Sequence, residues 1–241
     1  MNTKMKVLSL ALIGAFGYVG SAAAGTCPAG PDVANGGAWT AAPTFQGTLA
    51  IATPGFASTS CRLDSAISAG AGGAAFATVQ DDTPSAEPRY RAQFSVDVNT
   101  LANQSLLAGV QVFSATAANG ATIWMSIFGD GAGAHFLGYF VKDADRPSGV
   151  LSGSTPLAAG VNVIEFDLQV GAAGSIALWV NNNVEGTPTV PAQTVNNAAA
   201  VGIDTAFLGL ASPTPQYVTA FPGTAVGFDQ FDSRRQTFIG F

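Results

Sequence analysis

Hydrophobic and polar residues alternate with a period of two along much of this chain. The alternation is clearest in residues 90–98, where apolar side chains at every second position are separated by polar ones, and it recurs in residues 161–170 and 175–181. Successive side chains of a β-strand point to opposite faces of its sheet. The pattern therefore predicts strands with one buried face.

Five further runs are strand-like, namely residues 106–115, 121–128, 135–141, 206–211 and 224–231. Residues 171–174 are short and rich in glycine and alanine, which predicts a hairpin connection between two of the strands. Eight strands in one domain favour an all-β fold, a two-sheet antiparallel β-sandwich of the jelly-roll type. Most aromatic residues fall inside these runs, so we expect them to fill the core between the sheets.

Composition and charge exclude several classes of protein. The chain is 48% hydrophobic and only 10% charged, which is the opposite of the composition that keeps a chain disordered. With 29 glycines and few charges, long exposed helices are also disfavoured. The formal net charge of -6 excludes a basic nucleic-acid-binding protein.

The first residues have the pattern of a secretory signal peptide. Lys4 and Lys6 precede an uncharged apolar run, and small residues at 22–24 provide a cleavage site, so residues 1–24 are predicted to be removed. The apolar run is shorter than the roughly 20 residues that span a bilayer, which predicts no membrane insertion. Residues 25–241 are predicted to form a single domain that is secreted or held at the cell surface, with the periplasm as an alternative.

Two cysteines, Cys27 and Cys61, remain after this cleavage. In an oxidising compartment two such thiols usually pair, so one disulfide is predicted. It would restrict the unfolded chain and contribute about 3–4 kcal/mol to stability. The alternative of a lipid-modified Cys27 is disfavoured, because the preceding residues 24–26 lack the leucine that usually begins such a site.

Residues 154–167 and 177–183 resemble the laminin-G-like part of the concanavalin A-like lectin/glucanase superfamily. In that family a strand of the form "pl.aG...v.f" is followed by a strand ending in "lyvDG", and a closing strand "G.iD.f" corresponds here to residues 226–231. Three asparagines at 181–183 replace the usual Asp-Gly, and the family's Trp-His pair is missing. The resemblance covers roughly residues 73–235 and implies a jelly roll, but it transfers no binding site.

The glucanases of that superfamily carry Glu-x-Asp-x-x-Glu on one strand, and the nearest match here is Glu165, Asp167 and Val170. Because valine cannot protonate a leaving group, we predict that the protein is not a glycosidase of this kind and is not an enzyme. Glu165 and Asp167 are then expected on a solvated strand face. The single histidine, His135, argues against a catalytic zinc site.

A secreted, non-catalytic module that binds a glycan or an extracellular protein is therefore the predicted function. The candidate ligand-binding residues are Asp130, His135, Tyr139, Arg146, Asn181 and Asn182. Asp143 and Asp145 share one loop, where their oxygens are candidate Ca²⁺ ligands, although two carboxylates also suit an ordinary solvated turn. Trp39, Trp124 and Trp179 are either core residues or aromatic platforms for a sugar.

Other functions stay open at this point. A structural or adhesive surface protein that self-associates is one, because uncharged edge strands favour association. An outer-membrane β-barrel is suggested by the terminal Phe241, but Arg234 and Arg235 interrupt the last strand pattern. An unfamiliar glycosidase is the third alternative.

Overall fold

The computed structural model describes residues 27–28, 30–31, 39–57, 59–234 and 237–241, with the backbone alone of residue 121. The predicted signal peptide, residues 1–24, lies outside the described residues. The strands are β1 (Thr44–Phe45), β2 (Gly47–Ala52), β3 (Arg62–Ile67), β4 (Phe76–Asp81), β5 (Arg89–Asp97), β6 (Val110–Ala117), β7 (Gly120–Gly129), β8 (His135–Lys142), β9 (Val150–Leu157), β10 (Val161–Gln169), β11 (Gly174–Val180), β12 (Val190–Val195), β13 (Thr205–Ala211) and β14 (Ala225–Arg234). A 3₁₀ turn (Asn99–Leu101) and one short helix, α1 (Pro215–Ala220), complete the described elements.

The strands form two seven-stranded antiparallel sheets. Sheet A has the order β1-β4-β13-β6-β7-β8-β9, and sheet B has the order β12-β11-β10-β5-β14-β3-β2. The two sheets pack face to face, which confirms the predicted all-β jelly-roll sandwich. Whether residues 25–241 form a single domain stays a prediction.

The core consists of the inner faces of both sheets. At its centre, Phe113 from sheet A lies between two rings of sheet B, stacked on Phe94 at 5.5 Å and tilted against Phe166 at 5.1 Å. All three are fully buried. Each such side chain stabilises the fold by roughly 1.5–3 kcal/mol through removal of apolar surface from water.

One buried hydroxyl joins the two sheets directly. Ser65 of β3 donates to the carbonyl of Ala77 on β4 (2.7 Å) and accepts from the backbone N–H of Leu210 on β13 (3.0 Å). The β13–β6 pairing is irregular between Leu208 and Ala211, and Gly209 there has a φ of 127° that favours glycine. Strands of opposite sheets therefore share a directional bond inside an apolar core.

The predicted disulfide is confirmed between Cys27 and Cys61, with Cα atoms 5.7 Å apart. It fits a secreted protein, since such bonds persist in oxidising compartments. Within the described residues, no helix has both the length and the apolar character needed to cross a membrane.

Candidate functional site

The outer face of sheet B carries a cluster of paired charges. Arg91, only 1% exposed, donates from Nε to Glu165 (2.9 Å) and from a terminal nitrogen to Glu185 (3.1 Å). Its neighbour Arg89 binds Asp167 through two hydrogen bonds of 2.9 and 2.7 Å. These bonds to the Asp167 carboxylate raise the pKa of Arg89 above its usual value. The two arginines are thus paired with three carboxylates of the same cluster.

Residues 238–241 lie over this cluster. The backbone N–H groups of Ile239 and Gly240 each donate to the Glu165 carboxylate at 3.0 Å. The guanidinium of Arg91 lies 4.8 Å from the ring of Trp179 and 4.9 Å from that of Phe238. Glu165 is consequently 2% exposed, and the expectation that it lies on a solvated face is wrong. A segment about 75 residues farther along the chain covers it.

The outer face of sheet A is aromatic instead. On β7 the core positions are Ile123, Met125 and Ile127, so the side chains between them point outwards. Trp124 stacks on Phe140 of β8 with ring centroids 5.5 Å apart, and Phe128 stacks on Phe136 at 5.7 Å. All four rings are partly exposed. The expectation that the aromatic residues of these strands fill the core is wrong here, because β7 and β8 carry large apolar side chains on both faces.

A groove of about 370 Å³ borders one of these rings, that of Trp124. The described residues that line it are Gln111, Ser114, Asn119, Gly120, Trp124 and Lys142. Lys142 is exposed and is the one ionisable side chain among them. It forms no ion pair with any residue that the structure describes. Ring faces, amides, a hydroxyl and an unpaired ammonium together suit a sugar that carries a carboxylate.

Two predicted ligand residues of β8 point into the sandwich. His135 is 6% exposed, and its Nε2 lies 2.8 Å from the carbonyl oxygen of Leu101. Tyr139 is 4% exposed, and its hydroxyl accepts from Gln193 of β12 at 2.8 Å. Both side chains therefore contact other parts of the protein rather than the groove. The predicted role of each in ligand binding has no support from this placement.

Asp130 lies in the turn that follows β7. Its carboxylate accepts from the backbone N–H groups of Ala132 (2.7 Å) and Ala134 (3.0 Å), which lowers its pKa. The side chain thus shapes the connection between β7 and β8. In the turn after β11, Asn181 accepts from the backbone N–H of Val163 on β10 (2.9 Å), and Asn182 donates its side-chain amide to the carbonyl of Thr187 (2.6 Å).

The carboxylates of the loop after β8 accept hydrogen bonds from other residues of the protein. Asp143 accepts from the backbone N–H of Asn196 (3.0 Å), from that of Asp145 (3.2 Å) and from Arg146 Nε (2.9 Å). The bond from Asn196 is the main reason that the pKa of Asp143 is lowered. Asp145 in turn accepts from the Asn196 amide at 2.9 Å. A calcium ion at Asp143 and Asp145 would have to replace these bonds, and the described part of the chain has no group of three or more His, Cys, Asp or Glu side chains that could hold a metal.

The predicted site residues do not form one site. Asp130 and His135 lie near the start of β8, whereas Asp143, Asp145 and Arg146 follow its end, about 25 Å away along an eight-residue strand. Asn181 and Asn182 follow a strand of the other sheet. The groove residues around Trp124 were missed, apart from the tryptophan itself. The signal that could have found them is the lack of alternation in β7 and β8.

Comparison with known proteins finds similar structures but no matching family model or curated sequence. No protein-family model matches the chain, and no curated protein matches its sequence. Among solved structures, it is similar to the endo-β-1,4-glucuronan lyase of the fungus Trichoderma reesei, with a TM-score of 0.60 and 11% identity over 83% of this chain and 92% of that one. The alginate lyase Aly36B is similar with a TM-score of 0.58 and 14% identity, over 81% of this chain and 86% of that one. The alginate lyase vAL-1 from Chlorella virus is similar with a TM-score of 0.54 and 10% identity, over 83% of this chain and 94% of that one.

These similarities support a jelly-roll β-sandwich and change the functional prediction. Several of the similar structures are polysaccharide lyases, so the predictions of a non-catalytic binding module and of no enzymatic activity are contradicted. At such low identity the likeness itself shows the fold alone. A laminin-G-like subtype, a protein partner and self-association stay predictions.

Proposed function

We propose that this protein degrades a uronate-containing polysaccharide that lies along the outer face of sheet A. The observation that carries the proposal is the pair of partly exposed aromatic stacks, Trp124 with Phe140 and Phe128 with Phe136, on the face that also carries Lys142, which has no ion-pair partner among the described residues. The proteins of similar fold named as lyases of glucuronan and alginate add support.

The spacing of the rings suits an extended ligand. Trp124 and Phe128 are four residues apart on β7, which corresponds to about 13 Å along the strand. Sugar rings present apolar C–H faces that pack on aromatic rings, while their hydroxyl groups need amide and hydroxyl partners such as Gln111 and Ser114. A chain lying parallel to β7 would contact both stacks at once.

The charge of Lys142 suits the chemistry of a uronate lyase. In β-elimination, a base takes the proton from C5 beside the carboxylate, the C4–C5 double bond forms, and the oxygen at C4 leaves and is protonated. Negative charge moves onto the carboxylate as the proton leaves, so a cation paired with that carboxylate stabilises the transition state. Lys142 is placed to pair with the carboxylate, because it faces the groove and has no described ion-pair partner.

The test is to incubate the purified protein with glucuronan, alginate and a neutral glucan, and to follow the ultraviolet absorbance of the new double bond. We expect absorbance to rise with a uronan and to stay constant with the neutral glucan. Trp124→Ala should lower the rate about tenfold or more, as truncation of a central aromatic contact does. Lys142→Met should lower it as well, by removing the cation.

Phe45→Ala provides the matched control, since Phe45 is an exposed aromatic residue on the far edge strand of the same sheet. It should leave the rate unchanged. The proposal is wrong if no uronan yields an unsaturated product, or if the substitutions at Phe45 and Trp124 reduce the rate equally.

A further inference from the structure

The two aromatic stacks on the outer face of sheet A are separated by a row of small residues. Gly138 of β8 lies between Phe136 and Phe140 on the same face of the strand. Its direct partners on the neighbouring strands are Ser126 of β7 and Ser154 of β9. This row therefore carries only short side chains or none.

The space above Gly138 is already filled by two rings. An ideal Cβ at this position would lie 3.0 Å from Cε1 of Phe128 and 3.3 Å from Cε2 of Phe140, which is tighter than ordinary van der Waals contact. The edges of these two rings thus meet over the Gly138 backbone. Since Phe128 stacks on Phe136 and Phe140 stacks on Trp124, the four rings form one continuous aromatic surface.

The backbone does not require glycine at position 138. Its φ lies outside the left-handed region, and the residue pairs regularly with both neighbouring strands. Glycine weakens the interior of a strand, because it loses more conformational freedom than other residues and has no side chain to pack. The reason for this glycine therefore lies in its surroundings, where the two rings occupy the place of a side chain.

The joined surface is longer than one sugar ring and has polar groups beside it. Trp124 and Phe128 are about 13 Å apart along β7. Ser126 is partly exposed and Ser154 is exposed, and neither hydroxyl forms a hydrogen bond with a described residue. Both hydroxyls can therefore bind the hydroxyl groups of a sugar whose apolar face packs on the rings.

We propose that Gly138 is a positioning residue that joins the two stacks, so that the protein recognises a run of several consecutive sugar units. It acts through Phe128 and Phe140, whose edges would be forced apart by a side chain between them. The inference rests on the proposed function for the identity of the ligand, and it deepens that function by stating the length of substrate that the face of sheet A selects.

Titration calorimetry with oligoglucuronates of two, four and six β-1,4-linked units, whose carboxylates have been reduced to alcohols, tests this role. Such chains keep the ring faces of the sugar but cannot undergo β-elimination, so they are not consumed during the titration. The wild type should bind six units about tenfold more tightly than two. Gly138→Ala should weaken the binding of six units about tenfold and change that of two units little, because two units need only one stack.

A double-mutant cycle with Phe128→Leu separates positioning from a general effect on the strand. In that background the Phe128 ring is absent, so Gly138→Ala should weaken the binding of six units less than it does in the wild type. Gly186→Ala is the matched control, since an ideal Cβ at Gly186, between β11 and β12 of the other sheet, meets no atom within 4 Å. It should bind as the wild type does.

The joined surface is overturned if the affinity of the wild type does not rise with chain length, or if the wild type binds none of these chains. Equal losses from Gly138→Ala with and without the Phe128 ring overturn the positioning role. The absorbance assay decides the proposed function separately, because elimination needs the carboxylate that these chains lack. The comparison of chain lengths uses only the wild type, so it is decisive even where a variant does not fold.

Discussion

The outer faces of the two sheets use their side chains in opposite ways. On sheet B, Arg91 and Glu165 are buried, paired with each other and covered by residues 238–241. On sheet A, Trp124 and Phe128 remain partly exposed, and Lys142 has no described ion-pair partner. The covered face is explained by folding alone. The open apolar face is not, and such patches commonly mark binding sites.

The largest difference between the two faces is expected when Arg91, the central cation of the sheet B cluster, is removed. Arg91→Ala leaves Glu165 buried without its partner, and we expect the free energy of unfolding to fall by about 3–5 kcal/mol. Urea denaturation followed by circular dichroism measures the change. Arg234→Ala is the control, because its pair with Asp232 is largely exposed and contributes less than about 1 kcal/mol. Equal losses for the two variants would show that the cluster has no special role in stability.

Substitution of the tryptophans on the two faces should change the free energy of unfolding by different amounts. Trp179 is buried, packs on Phe238 and Arg91, and donates its indole N–H to the carbonyl of Val184 at 3.1 Å. Trp179→Ala should therefore lower the free energy of unfolding by about 3–5 kcal/mol or slightly less. Trp124→Ala removes a partly exposed ring and should lower it by only about 1 kcal/mol while reducing activity on a uronan. A larger loss of stability at Trp124 would indicate that the aromatic face serves folding.

The smallest expected effect is on the stability of the fold at acidic pH. The pKa of Asp143 lies below its ordinary value of 3.8, so its ionised form stabilises the fold above that pH, and this contribution is lost as the pH falls through the lowered pKa. Asp143→Asn should therefore unfold with a weaker dependence on pH in this acidic range than the wild type does. Thermal unfolding at a series of pH values measures it. Identical pH profiles for the two proteins would contradict the assignment.

Strands with clean alternation were predictable from sequence. The runs predicted at 161–170 and 175–181 correspond to Val161–Gln169 and Gly174–Val180. Edge strands were missed, including Val150–Leu157, where glycine and proline interrupt the pattern, and Val190–Val195, and so were the inner strands Arg62–Ile67 and Phe76–Asp81. An edge strand has a neighbour on one side only, so its sequence is less constrained by the period of the sheet.

The site was less predictable than the fold. Periodicity shows which strand face a residue occupies but not what covers that face, and the contact of Glu165 with Ile239 and Gly240 joins distant segments. A second pocket, lined by Thr122 and Lys142 among others, likewise depends on a loop, residues 196–200, that lies far along the chain. The outward position of Trp124 was in principle readable, because Ile123 and Met125 on either side already account for the core face.

The bond network of Ser65 has a consequence for how the two sheets can move. Apolar contacts between packed sheets are non-directional, so they do not by themselves require two particular groups to meet at a fixed angle. The Ser65 hydroxyl binds Ala77 and Leu210 at fixed angles and distances, and any sliding near β3 would break both bonds at once. The Ser65 hydroxyl therefore fixes the lateral position of the two sheets relative to each other near β3.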